Sequence, residues 1–171
     1  MILSNSEIHK YIKEKKLVID PFNEDTVREN GIDLRFGSEI ARLKRSNTIF
    51  DPHDKNEYEK FFEKEVKESF IINPYERVLV CTLEYIELRG DLVGLVNLRS
   101  SYARIGLSLP PTIVDTGFKG QLTLQIIGGS FPIRLYAGDR FCHIVLARLI
   151  SDSISYKGVY LGQKGVTYPK F

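Results

Sequence analysis

Gln121-Leu122-Thr123-Leu124-Gln125-Ile126 decides the fold class. Successive side chains of a strand point to opposite faces, so Gln121, Thr123 and Gln125 share one face and Leu122, Leu124 and Ile126 the other. The apolar face belongs to a core. The polar face is a surface, unless it lines a site or a wet interface. Upstream the same period of two returns: after the Asn30-Gly31 turn, Ile32, Leu34 and Phe36 alternate with Asp33, Arg35 and Gly37. Working outward, strands are predicted at 32–36, 39–43, 69–72, 77–82, 84–88, 92–98, 121–127, 133–135 and 140–149. Asn73-Pro74, Arg89-Gly90, Gly128-Gly129 and Ala137-Gly138 separate them. Many short strands bounded by turn signals predict a mainly β sandwich or barrel, and the lack of strand–helix alternation argues against a doubly wound fold. Only the opening differs. Ser4-Asn5-Ser6-Glu7 reads as a capping box, and Ile8, Tyr11 and Ile12 follow at helical spacing, predicting a helix over 5–15 that closes before Pro21.

The 171 residues fit one domain, and 43% hydrophobic with 27% charged residues describes a folded chain rather than a disordered one. No apolar run reaches the ~18–20 residues of a membrane helix, and none has signal-peptide flanks, so a cytoplasmic protein without a membrane partner is expected. A net charge of +2, from 24 basic and 22 acidic residues, excludes nucleic-acid binding by charge alone. A local basic pocket stays open. Cys81 and Cys142 form no CxxC pair, which excludes a disulfide framework or a cysteine zinc site and makes both buried strand residues. His9 and His53 read as surface residues, and His143, on a strand, as a subunit contact. The charge-rich stretch 51–69 reads as a solvated loop with a helical turn pinned by Tyr58, Phe61 and Phe62. The tail 158–171, with Gly158, Gly162 and Gly165, has the composition of a mobile segment able to offer backbone N–H groups to an anion.

Two segments could carry chemistry. In 97–106, Arg99 and Arg104 bracket Ser100 and Ser101 at the end of an apolar strand. Arginine supplies planar, permanently charged donors for phosphate, and serines add hydroxyls. The same residues also make a capped helical turn with Ser100 or Ser101 at the N-cap. In 112–120, Asp115 at a strand end precedes Gly117 and Gly120, a tight turn that presents a carboxylate.

In order along the chain, these blocks resemble the dCTP deaminase and dUTPase superfamily over nearly its whole length. The resemblance is carried by Asn30-Gly31-Ile32-Asp33-Leu34-Arg35, Arg99-Ser100-Ser101-Tyr102-Ala103-Arg104 and Val114-Asp115-Thr116-Gly117-Phe118-Lys119-Gly120. Ala137-Gly138-Asp139-Arg140-Phe141 and Gly162-Gln163-Lys164-Gly165-Val166 complete it, and the opening helix and tail resemble the deaminase branch. The resemblance implies a single domain over 1–171: a distorted, jelly-roll-like β-barrel of dUTPase type with a short N-terminal helix. It also implies a homotrimer with deoxyuridine or deoxycytidine nucleotide sites between subunits, Mg²⁺ on the triphosphate rather than on protein ligands, and residues 158–171 closing over the nucleotide. By carry-over, Asp115, Ser100 and Arg104 are catalytic; Arg99 and Ser101 bind phosphate; and Thr123, Gln125, Tyr156, Gln163 and Lys164 bind substrate. Asp33 is implied at a metal or trimer-axis contact, or else stabilises a turn.

Two positions depart from the pattern. Deaminases carry a glutamate general acid–base where Gln125 stands, and a neutral amide does not titrate in the working range. Losing a general base costs ~10²–10⁴ in rate. The H-x-E and P-C-x-x-C pieces of zinc deaminases are absent too. Val159 replaces a lysine before the tail tyrosine, leaving Lys157 or Lys164 to substitute. Pyrophosphate cleavage needs only a carboxylate to orient water and cations to hold charge, which Asp115, the arginines and Mg²⁺ supply. The expected function is therefore dUTP hydrolysis to dUMP and pyrophosphate. The alternatives are dCTP deamination, alone or coupled to that hydrolysis, and a catalytically silent nucleotide-binding trimer.

Overall fold

Strand follows strand along most of the chain in the computed structural model, which describes residues 1–54, 57–151 and 153–171. After helix α1 (Asn5–Lys13) come β1 (Leu17–Asp20), β2 (Gly31–Leu43), β3 (Phe62–Val66), β4 (Ser69–Ile72), β5 (Arg77–Leu88) and β6 (Leu92–Leu98). A short helix α2 (Ser100–Arg104) precedes β7 (Thr112–Val114), β8 (Lys119–Ile127), β9 (Ile133–Tyr136) and β10 (Arg140–Arg148). The main sheet runs β1-β5-β2-β10-β6-β7, with β3 added to β2 and β8 to β5, while β4 pairs β9 separately. Every pairing is antiparallel. The result is the expected mainly β fold, a curled half-barrel opened by one helix.

The curl comes from two strands that the sequence divides. Segments 32–36 and 39–43 are one strand, β2, whose register slips between Phe36 and Ile40. Segments 77–82 and 84–88 are β5, slipping between Cys81 and Tyr85. Such irregularities bend a strand without ending it, so each serves different neighbours along its length. Thr82 holds the β5 bend, its hydroxyl donating to the Glu84 carbonyl (2.9 Å) and accepting from the Leu122 N–H (2.9 Å). Beside it the fully buried Glu84 carboxylate accepts the Arg35 backbone N–H and one Arg35 Nη1 bond, each at 2.8 Å. Burial pushes the Glu84 carboxyl up, and the two Arg35 bonds pull against it.

Other boundaries also differ from the sequence reading. β1 is too short for its period to stand out, and it pairs the far end of β5 from Leu17↔Leu88 to Asp20↔Tyr85. The stretch 51–69 contains the expected helical turn at Tyr58–Lys60, yet Phe62–Val66 is a strand on the edge of β2. Its charged residues suit an edge, where they discourage pairing with another chain. The capping box does not form: the Ser4 hydroxyl pairs with that of Ser6 (3.0 Å), and the first helical bond is Ile8 N–H to the Ser4 carbonyl (2.9 Å). α1 ends at Lys13, where Lys15 takes a left-handed φ of 56°.

The core holds the site's two supports in place. Phe36 stacks on Phe141 at a centroid distance of 3.8 Å, and Tyr102 of α2 packs edge-on against Phe36 at 5.8 Å. Aromatic pairs of this kind contribute ~0.5–1.5 kcal/mol beyond their burial. Cys81 and Cys142 are buried in strands, as expected.

Candidate functional site

The polar face of β8 answers the question left open by its alternation. Gln121 donates from Nε2 to the Thr82 and Leu83 carbonyls (2.9 and 3.0 Å) and accepts the Gly165 N–H at Oε1 (2.6 Å). The Thr123 hydroxyl donates to the Gly165 carbonyl (3.3 Å) and accepts the Thr167 N–H (3.0 Å). The Gln163 amide donates back to the Gln121 carbonyl at 2.7 Å. Across the sheet, Glu39 on β2 accepts the Val166 N–H at 2.9 Å and pairs with Lys64 at 2.8 Å. Burial raises the Glu39 carboxyl, but the Lys64 bond and the Val166 N–H outweigh it and hold this group below the ordinary range. Further on, Tyr58 donates to the Pro169 carbonyl (2.6 Å) and stacks on Tyr168 at 5.1 Å. The tail is thus a docked strap, contrary to the mobile segment its glycines suggest. Its N–H groups at Gly165, Val166 and Thr167 meet side chains of this same chain rather than an anion.

Between strap and sheet lies a cavity of about 490 Å³, within the range of small-molecule sites. Its walls are mostly apolar, including Leu79, Val114, Phe118 and Leu124. Asp115, Thr123, Gln125, Tyr156 and Gln163 add polar groups. Asp115 follows β7 at the head of the expected tight turn, closed by Phe118 N–H to the Asp115 carbonyl (3.2 Å) with Gly117 at φ 82°. A side chain on Gly117 would also strike Ser155 and Tyr156, just ahead of the strap. Among the described residues, neither the Asp115 carboxylate nor the Gln125 amide has a hydrogen-bond partner, and Asp115 is the only carboxylate on the walls. The Gln163 Oε1 atom is buried without a partner.

The arginine block settles as a helical turn, with Arg99 rather than a serine at the N-cap and no side-chain cap. Ser100, Ser101 and Arg104 are exposed. Arg99 is not: its Nε lies 3.1 Å from Asp33 Oδ2 and its Nη1 donates to the Arg140 carbonyl (2.9 Å). Arg99 and Ser100 line a separate open recess of about 420 Å³ with Asp33, Asn97 and His143. Asp33 sits in β2 and not in a turn. His143 Nδ1 lies 2.8 Å from the other Asp33 oxygen, away from the cavity. Of the residues assigned to one site, then, five meet in the cavity and two in the recess. Ser101, Arg104 and Lys164 line neither.

Sequence reasoning missed Glu39, Tyr58 and the Asp33–His143 pairing. The tail contacts join residues 127 and 111 positions apart, beyond any local pattern. Gln121 did carry a signal, as a polar residue on an otherwise core strand. Among the described residues no three His, Cys, Asp or Glu groups converge as a metal site would require. Among the described residues no helix is long and apolar enough to cross a membrane.

A curled antiparallel half-barrel with a carboxylate at the mouth of a strap-covered cavity defines the class, and comparison defines the family. A dCTP deaminase-like model matches residues 2–149. A dCTP deaminase from Saccharolobus solfataricus is 52% identical over 172 residues, covering 100% of this chain and 92% of that one. A probable deoxyuridine 5'-triphosphate nucleotidohydrolase of Sulfolobus islandicus rod-shaped virus 1 is 48% identical over 171 residues, covering 99% of each. The crystal structure of the 2'-deoxycytidine 5'-triphosphate deaminase from Agrobacterium tumefaciens shares the fold, with a TM-score of 0.68 at 22% identity. That match covers 85% of this chain and 47% of that chain. The chain belongs to the dCTP deaminase-like family.

These relationships correct the expectation of dUTP hydrolysis as the leading activity. Full-length relatives at about half identity carry the name dCTP deaminase, which favours the alternative. A single amide at Gln125 does not outweigh similarity along the whole chain.

Proposed function

We propose that this protein is an enzyme of deoxynucleotide metabolism that deaminates dCTP to dUTP and ammonia. The observation that carries the reading is the shared cavity of Asp115 and Gln125, both unpaired among the described residues, in a chain so close to named deaminases. Water adds to C4 of the cytosine ring while N3 takes up a proton; the C4–N4 bond then breaks and the amine leaves as ammonia. Asp115, the only wall carboxylate among the described residues, takes one proton from the attacking water and gives it to N3, then takes the second from the new C4 hydroxyl and gives it to the departing amine as the C4 carbonyl forms. Gln125 cannot shuttle a proton, and its amide holds the attacking water and the ring edge by hydrogen bonds. Thr123, Tyr156 and Gln163 shape the walls around base and sugar, and residues 158–171 form the roof.

Phosphate recognition falls to Arg99, Ser100, Ser101, Arg104 and Lys164. Because Arg99 and Ser100 open onto a separate recess, the complete site takes its cavity from one copy and its arginine face from another. A homotrimer of single-domain subunits meets that need. An Mg²⁺ ion would be carried by the triphosphate oxygens and would neutralise their charge, and no proton step passes through it. Free deoxynucleotides as substrates place the enzyme in the cytoplasm. The test is incubation with dCTP and Mg²⁺, with products resolved chromatographically and ammonia assayed. Stoichiometric dUTP and ammonia support the reading. Bound but unaltered dCTP sinks it.

A further inference from the structure

The recess in front of α2 contains a built network that no step above uses. Asp33 is nearly fully buried, with 4% of its side chain accessible, and three basic side chains converge on it. Arg99 Nε lies 3.1 Å from Oδ2, Arg140 Nη1 lies 3.6 Å from the same oxygen, and His143 Nδ1 lies 2.8 Å from Oδ1. Three elements supply them: β2 brings Asp33, β10 brings Arg140 and His143, and the end of β6 brings Arg99. The register His143↔Asp33 and His143↔Asn97 fixes their spacing. Gly31 is required beneath the ring, since a side chain there would strike His143 and the Ile144 carbonyl. The Arg99 guanidinium is therefore held at two points, with Nε in ion-pair contact with Asp33 and Nη1 donating to the Arg140 carbonyl. Arg99 lines the recess beside Ser100.

We infer that Asp33 is a positioning residue for phosphate binding: its buried carboxylate, paired with His143, holds Arg99 in place on the recess wall to meet the triphosphate. An unheld arginine must give up its rotamer freedom when it binds, whereas one already fixed by a buried partner does not. Arg99 and Arg140 together outweigh the single Asp33 carboxylate, so the recess keeps a positive face despite the carboxylate behind it. Arg28 and Glu29 also line the recess and roughly cancel. The inference rests on the proposed nucleotide site, though not on which reaction follows binding.

Its test is equilibrium binding of dCTP and of deoxycytidine to the full chain, by calorimetry, for wild type, Asp33→Asn, Arg99→Ala and the double variant. Asp33→Asn is expected to weaken dCTP about tenfold, the scale of a charge-assisted bond, and to leave deoxycytidine unchanged. In the Arg99→Ala background the Asp33 effect should vanish, because the two residues act as one. A purely structural Asp33 would lower both affinities alike or add to the Arg99 effect, and either result overturns the inference. If Arg99→Ala leaves dCTP affinity intact, the phosphate assignment itself has failed. Loss with Arg99→Ala but none with Asp33→Asn removes only the inference. Should Asp33→Asn lack a cooperative thermal transition, His143→Leu carries the test. It should reduce dCTP affinity a few-fold and spare deoxycytidine, and an unchanged dCTP affinity would overturn the inference.

Discussion

The cavity under the strap and the recess before α2 are built on opposite plans. Apolar walls surround a few polar groups in the cavity, and the two that matter chemically, Asp115 and Gln125, are unpaired among the described residues. In the recess the central groups are already engaged, Asp33 by three partners and Arg99 by two. An unpaired carboxylate is free to accept a proton, whereas a gripped guanidinium is ready to bind charge. One region is equipped for reaction and the other for recognition.

Asp115→Asn breaks the reactive side at its only wall carboxylate, and it carries the largest expected effect. Deamination of dCTP should fall ~10²–10⁴-fold with dCTP affinity changed little, because the amide keeps the shape and loses the proton shuttle. Equal losses in turnover and binding would place Asp115 among the recognition groups instead. Gln125→Glu sharpens the same side. It restores a titrating group in the cavity and should raise deamination about tenfold to a hundredfold in a product assay. If the variant binds dCTP and turns it over no faster, position 125 does not limit proton transfer.

The two regions were also unequally legible in the sequence. Strands β4 and β6 stand at their predicted bounds, and the β8 alternation correctly separated core from polar face, because burial on one side imposes a period of two. Motif order pointed to Asp115, Gln125, Tyr156 and Gln163, which the fold does bring to one cavity. The bends in β2 and β5 were read as breaks, since a bulge interrupts the period as a turn does. β3 was masked by its charges. The recess was legible only in part: Arg99 stood out, while its partner Asp33, implied at a metal or trimer-axis contact or in a turn, lies in a distant strand and gives no local sign of the pairing. Thr123, assigned to substrate, lines the cavity but commits its hydroxyl to the strap.

Gly165→Ala probes whether the roof belongs to the reactive side. Gly165 has φ 62°, and an added Cβ would strike the Glu39 carboxylate that holds the strap. The left-handed strain alone costs about 1–2 kcal/mol. Limited proteolysis should cut the C-terminal segment faster, and dCTP and deoxycytidine affinities should fall together, in contrast to the phosphate-selective loss expected at Asp33. Unaltered proteolysis would mean the strap accommodates the change.

The smallest expected effect is a pH response at Glu39. Its folded-state pKa is held below the ordinary carboxylate value, with the Lys64 bond and the Val166 N–H prevailing over burial. A depressed carboxylate contributes stability that is present above its unfolded pKa, about 4.3, and is lost as pH falls through the folded value. Acidification should therefore loosen the strap at Val166 before the β-sheet gives way. Hydrogen exchange should show the Val166 amide losing protection as the pH falls through the depressed Glu39 value, relative to sheet amides corrected for intrinsic rates. Glu39→Gln should flatten that response, since a neutral amide still accepts the Val166 N–H but has no proton to gain. A wild-type response that persists in the variant would shift the acid sensitivity to another carboxylate and leave Glu39 as a pH-independent anchor.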